Sequence, residues 1–313
     1  MAKIKLNQST TIEEAFEDFI TSRKTKGVVD KTIESYQNHF RAVARHLDIS
    51  KSIYTLERDD LDKMVAAMRD AHLATNSINT YTRVFKVFLS WCNVEGLTNL
   101  NMTVYRGEET VKETYTDAEL AVLLKKPNLR KCGFPEYRDW VIINFLLNSG
   151  SRAATVRAIQ NRDVDLQNGV VRYRHTKNRK MQVIPLCSEM VLILREYMRI
   201  RSGGEEDYLF CTENGEGLKE SGLRIAIARY NERRGIQKTS IHLFRHTFAR
   251  KYLMDCGGDA FMLQRLLGHS TLQMTKHYCA IFDTDLTRNF DSFSPLSQIK
   301  KGNERISMKA ARR

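Results

Sequence analysis

Apolar residues recur at helical spacing through the first hundred positions. Thr11-x-x-Glu14 has the form of a capping box, and Ile12, Ala15, Phe16, Phe19 and Ile20 follow on one side of the helix it opens. Asp30 is placed to cap a second helix with Ile33, Tyr36, Phe40, Val43 and Leu47 on one face. A third helix is predicted over 56–71, with Leu61, Met64, Val65 and Met68 inward. A fourth over 75–94 carries Ile78, Tyr81, Val84, Phe85, Phe88, Leu89 and Trp91. Such stripes are core surfaces rather than binding surfaces, and four of them suffice for one compact domain, residues 10–104, behind a short leader, 1–9.

The pattern then breaks. Residues 105–114 are polar and read as a linker. Thr116-x-x-Glu119 repeats the capping-box signature and opens a second domain, 115–290. It is mostly helical, with one β signal. Val170, Val171, Tyr173 and His175 are interleaved with Arg172 and Arg174; a basic turn over 176–180 then leads to Val183, Ile184 and Leu186, so the two runs form a hairpin. Residues 291–313 are polar and basic, the composition of a tail.

Composition narrows the function classes. With 313 residues, 42% hydrophobic and 28% charged, the chain is long enough for two ordinary folded domains. The largely apolar run 140–147 is far short of the roughly 18 residues of a membrane span. The N-terminus is polar and lacks a secretory leader, so a soluble cytoplasmic protein is expected, with no membrane partner. The six cysteines are scattered without Cys-x-x-Cys spacing, which argues against zinc and disulfide frameworks alike.

Charge adds a partner class. The net charge is +13, and it is unevenly placed. Residues 1–105 carry 14 basic and 13 acidic side chains, 106–290 carry 30 and 22, and 291–313 carry 6 and 2. The excess therefore lies in the second domain and tail, which favours a polyanion there.

Four segments of the second domain combine phosphate-binding residues with helix and turn boundaries. They are Ser149-Gly150-Ser151-Arg152; Lys177 in the hairpin turn; His242-Leu243-Phe244-Arg245-His246 at the start of a helix; and Leu266-Leu267-Gly268-His269-Ser270, followed nine residues beyond His269 by Tyr278. Each has an ordinary explanation alone: a solvated arginine, a solubilising lysine, a helix-boundary histidine, a core tyrosine. His242 and His246 are four apart, but no glutamate lies between them in the zincin position and no further ligand pattern is near, so no metal is expected. Together the residues form a toolkit for metal-free phosphoryl transfer. Guanidinium groups hold non-bridging oxygens, a deprotonated tyrosine attacks phosphorus, and a lysine protonates the leaving oxygen.

These strings, in this order, resemble the tyrosine recombinases, the phage-integrase family. The likeness is strongest in His242-Leu243-Phe244-Arg245-His246-Thr247-Phe248-Ala249 and Leu266-Leu267-Gly268-His269-Ser270, and it covers residues 115–290; residues 10–103 are similar to the family's core-binding domain in pattern alone. The resemblance implies a mainly α fold with a small β-sheet, an α+β catalytic domain beside the helical one, the two forming a C-shaped clamp on DNA. It implies Tyr278 as nucleophile, Arg152 and Arg245 as phosphate clamps with a hydrogen bond from His269, Lys177 as general acid, and His242 assisting proton transfer. Lys180 shares the turn with Lys177 and is the alternative acid; Arg179 and Lys180 are expected on the DNA. Where the family often has a glutamate three residues after its first arginine, this chain has Thr155.

The partners so implied are double-stranded DNA and three further copies of the chain on it, with a monomer expected off DNA and the tail packing on a neighbouring copy. No metal, ATP or other cofactor is required. The Thr155 departure and the basic tail favour a mobile-element integrase or transposase. The alternatives are an Xer-like resolvase of chromosome or plasmid dimers, a type IB topoisomerase, a DNA-binding regulator without catalysis, and a structural protein with a basic face.

Overall fold

The computed structural model describes residues 9–103, 113–174, 181–272 and 275. The chain divides into two compact units, Met1–Thr110 and Val111–Arg313. The leader, most of the linker, the hairpin turn with Lys177, Arg179 and Lys180, Tyr278, and the tail 291–313 lie outside the described residues.

The first unit is helical: α1 (Ile12–Thr25), α2 (Asp30–Val43), a 3₁₀ turn (Ile53–Thr55), α3 (Arg58–Asp70) and α4 (Thr75–Glu95). The α1 capping box is complete. Glu14 N–H donates to Thr11 Oγ1 at 3.1 Å, and Thr11 N–H donates to Glu14 Oε2 at 2.8 Å. Two expectations are corrected. Asp30 does not cap α2: Val29 holds the N-cap position without a side-chain bond, and Asp30 is the first helical residue, an anion at the positive end of the helix dipole. Residues 56 and 57 precede α3, because Glu57 and Asp60 form the cap that starts it at Arg58.

Aromatic rings fill this unit's core. Phe16 stacks on Phe40 with ring centroids 3.7 Å apart, and Phe88 meets Phe16 and Phe19 edge-on. Leu47 lies beyond the end of α2, yet it packs half-buried against the same core.

The second unit contains α5 (Asp117–Leu123), α6 (Phe134–Ser149), α7 (Ala153–Ala158), β1 (Val164–Asp165), β2 (Val170–Tyr173), β3 (Gln182–Pro185), α8 (Ser188–Arg201), α9 (Glu220–Glu232), α10 (Ile241–Met254) and α11 (Ala260–Leu267). It is mainly α with a small antiparallel sheet in the order β1-β2-β3. The expected hairpin is β2–β3, with the buried pair Val171 and Ile184 in register. Its first strand ends at Tyr173, His175 lies outside the described residues, and β1 extends the sheet by a strand that the hydrophobic pattern does not announce.

Helix α6 is the centre of the unit. Tyr137, Trp140, Val141, Ile142, Ile143, Phe145 and Leu146 are all buried, and the helix packs against α8, α9 and α10. A helix apolar on every side belongs in the middle of a layer of helices. The apolar run 140–147 is thus the buried C-terminal half of this helix. Among the described residues no helix is long and apolar enough to cross a membrane.

Candidate active site

Three chain turns in the second unit converge on one cleft of about 930 Å³. The first is the end of α6. Gly150 adopts φ +59°, and a Cβ built there would lie 2.4 Å from Phe248 Cδ1 and 2.7 Å from Leu267 Cδ2. Backbone conformation and packing both demand glycine. The chain then reverses, and Arg152 occupies the N-cap position of α7, half-buried and facing the cleft.

Beneath that turn, Ser151 and Tyr173 tie it to β2, with their hydroxyl oxygens 2.5 Å apart. Burial pushes the Tyr173 phenol up to about 12, against the lowering effect of its bonds to Ser151 and Ser149 and of the nearby Arg245 charge. Tyr173 is therefore a neutral hydrogen-bonding strut at physiological pH.

The second turn opens α10 and supplies Arg245, only 6% exposed. Its Nη1 donates to Gly150 O at 2.8 Å and its Nη2 to Leu267 O at 2.9 Å. Arg152 Nη1 donates to the same Leu267 carbonyl at 3.4 Å. Carbonyl oxygens orient a guanidinium without neutralising its charge, so both groups are aimed while remaining cationic.

The third turn ends α11 at Gly268, φ +60°. The last carbonyls of a helix lack partners within it. Here Gln182 Nε2 from β3 donates to Arg265 O at 2.6 Å and Leu266 O at 2.9 Å, and the two arginines take Leu267 O. A Cβ on Gly268 would come within 2.8 Å of Gln182 Oε1, so the glycine also makes room for this clamp. His269 follows, with Nε2 at 2.8 Å from Arg245 Nη2 and Nδ1 at 2.9 Å from Thr275 Oγ1.

Arg152, Arg245 and His269 are thus brought together. His242 is exposed on the first turn of α10, three residues before Arg245 and so on the same side of the helix, but it does not line the cleft. Lys177, Arg179, Lys180 and Tyr278 fall outside the described residues. Thr155, at the position of the family's glutamate, does line the cleft. Sequence reasoning passed over Gln182 and Thr275, which hold this geometry through side-chain contacts. Among the described residues no three His, Cys, Asp or Glu side chains gather as a metal site.

Two oriented guanidinium groups and an imidazole at the mouth of a cleft form a cradle for a tetrahedral or pentacoordinate oxyanion. Residues 116–284 match the family model described as the phage integrase family. The chain belongs to the phage integrase family, the tyrosine recombinases. It is 29% identical over 264 residues to the tyrosine recombinase XerD of Ralstonia nicotianae, a match covering 80% of this chain and 84% of that protein. It is 25% identical over 280 residues to XerC of Xanthomonas campestris pv. campestris, covering 87% and 85%.

Solved structures share the fold. The Tn1549 transposon integrase in complex with transposon right-end DNA superposes with a TM-score of 0.73 at 19% identity, covering 86% of this chain and 94% of that one. A lambda integrase tetramer bound to a Holliday junction gives 0.70 at 16% identity, covering 87% and 78%. As a tyrosine recombinase the protein is an enzyme that cleaves and rejoins DNA.

Because the planar fork of Arg245 bonds to Gly150 O, Leu267 O and His269 Nε2, lysine is not a substitute for it. Arg245→Lys is expected to slow single-turnover cleavage of a nicked duplex by roughly 10²–10³-fold while the protein still binds DNA. Cleavage within about tenfold of wild type would show that charge alone suffices there.

Proposed function

We propose that this recombinase performs site-specific exchange through a 3′-phosphotyrosine formed on Tyr278. The convergence of Arg152 and Arg245 on the Leu267 carbonyl, with His269 at 2.8 Å from Arg245, is the observation that carries this reading. In the reaction the scissile phosphate takes the place of that carbonyl. The Tyr278 oxygen attacks phosphorus and the P–O5′ bond breaks. The two guanidiniums balance the charge that builds on the non-bridging oxygens.

Lys177, or Lys180 in the same turn, protonates the departing 5′ oxygen. His242 assists proton transfer at the tyrosine, and His269 adds a hydrogen bond to the phosphate. The phosphate bond energy stays in the protein–DNA ester, so rejoining to another strand's 5′-hydroxyl needs neither ATP nor a metal. Arg179 and Lys180 add backbone contacts, whose loss would weaken binding in a salt-dependent way. Exchange between two duplexes requires four nucleophiles, hence a homotetramer on DNA, with residues 291–313 contacting the neighbouring copy.

For the biological role, integration or transposition of a mobile element is the first reading, supported by Thr155 in place of the family glutamate and by the basic tail. Xer-like dimer resolution is the second, favoured by the XerD and XerC relatives. Element ends and direct repeats flanking the gene decide between them: their presence supports the first, and a housekeeping context with one chromosomal target site supports the second.

The chemistry is tested on a nicked suicide duplex. Tyr278→Phe is expected to form no covalent protein–DNA adduct while binding the duplex with near wild-type affinity. A persistent adduct would remove Tyr278 as the nucleophile.

A further inference from the structure

Successive residues of a strand face opposite sides of the sheet, so Tyr173 shares a face with Val171, and Gln182 with Ile184. Val171 and Ile184 are a buried cross-strand pair. Tyr173 and Gln182 are also paired in register, two positions along on each strand and on the same inner face. Such a rung is ordinarily apolar. Here it carries a phenol and a carboxamide, and the polar end of each has a partner.

The two ends reach different turns of the cleft. Tyr173 Oη meets Ser151 Oγ at 2.5 Å, and Ser151 stands between Gly150 and Arg152. Both hydroxyls belong to buried residues, so bulk water does not replace the bond when it is lost. Gln182 Nε2 reaches Arg265 O at 2.6 Å and Leu266 O at 2.9 Å, immediately before Leu267. Carbonyls only accept, so the amide must present its NH2 group to them, and both of its protons are engaged.

Gly150 O and Leu267 O are the two carbonyls that hold the Arg245 fork, and Leu267 O also receives Arg152. One rung of the sheet therefore grips the chain beside both backbone positions that orient the guanidiniums. By occupying Arg265 O and Leu266 O, Gln182 also leaves Leu267 O as the α11 carbonyl on which the two arginines meet.

We propose that Tyr173 and Gln182 are positioning residues that act as one unit: they fix the separation of the α6 and α11 ends, and with it the aim of Arg152 and Arg245 at the scissile phosphate. The proposal rests on the reading of those arginines as phosphate clamps. Neither side chain of the rung has to touch DNA. A guanidinium stabilises charge on a phosphorus-bound oxygen only when its N–H groups point at that oxygen, and a displacement of about 1 Å costs up to roughly 100-fold in rate.

Tyr173→Phe removes the hydroxyl alone, and Gln182→Met keeps the side-chain length while removing both donors. In single-turnover cleavage of a nicked duplex at saturating protein, each is expected to be roughly 10-fold slower than wild type. Both changes relax the same separation, so the double variant should fall within about threefold of the slower single variant, not at the roughly 100-fold of independent losses.

A second substrate separates aim from general damage. A methylphosphonate at the scissile position replaces a non-bridging oxygen by a methyl group, so the linkage is uncharged and asks less of the guanidiniums. On that linkage Tyr173→Phe and Gln182→Met should come within about threefold of wild type. Equal losses on the two linkages overturn the proposal. So do single variants that cleave the phosphodiester at the wild-type rate, or a double variant whose losses multiply. Arg152→Ala is the reference, and its defect should also shrink on the methylphosphonate. If it does not, the reading of the arginines as clamps fails; if it shrinks while the defects of the rung variants persist, the positioning role alone fails.

Discussion

A buried guanidinium has to be surrounded by acceptors, because desolvating a cation without partners costs several kcal/mol (about 3–5 when one member of a buried pair is removed). Arg245 meets this requirement with carbonyl oxygens from two helix ends, Gly150 at the end of α6 and Leu267 at the end of α11. Helix ends are the natural source of such acceptors. Their last carbonyls have no intrahelical donors, and the helix dipole makes them partially negative. In both places a left-handed glycine turns the chain away and leaves a carbonyl facing the arginine.

The remaining geometry follows from that arrangement. Once Leu267 O is fixed by Arg245, Arg152 is drawn to the same oxygen, and the α11 carbonyls that neither arginine reaches are taken by Gln182 from the sheet. The turn after α6 is braced from beneath by Ser151 and Tyr173. The bonds that cap the helices are thus the same bonds that orient Arg152 and Arg245.

Much of this was legible in the sequence. The stripes of α1 to α4, the capping boxes at Thr11 and Thr116, the glycine ending α6 and the helix opening just before His242 are all local patterns, and local patterns survive folding. Asp30 was misplaced as a cap because a side chain at a helix start can serve the N-cap or the dipole, and the pattern alone does not separate these roles. Strand β1 has two residues, too few for alternation to register.

The site divides in the same way. Arg152, Arg245 and His269 stand in recognisable strings. Gln182 and Thr275 act through bonds to partners chosen by tertiary structure; in Gln182's case the carbonyls lie 83 and 84 residues away along the chain. A polar residue on a strand or in a helix carries no mark of such a partner.

The central claim, covalent catalysis through Tyr278, is tested most directly by locating the adduct. Wild-type protein trapped on a nicked suicide duplex is digested with a protease and a nuclease, and the nucleotide-bearing peptide is sequenced by mass spectrometry. The account predicts a single modified peptide containing Tyr278, esterified to a 3′-phosphate. An adduct on Tyr173 or any other side chain, or attachment through a 5′-phosphate, would contradict it.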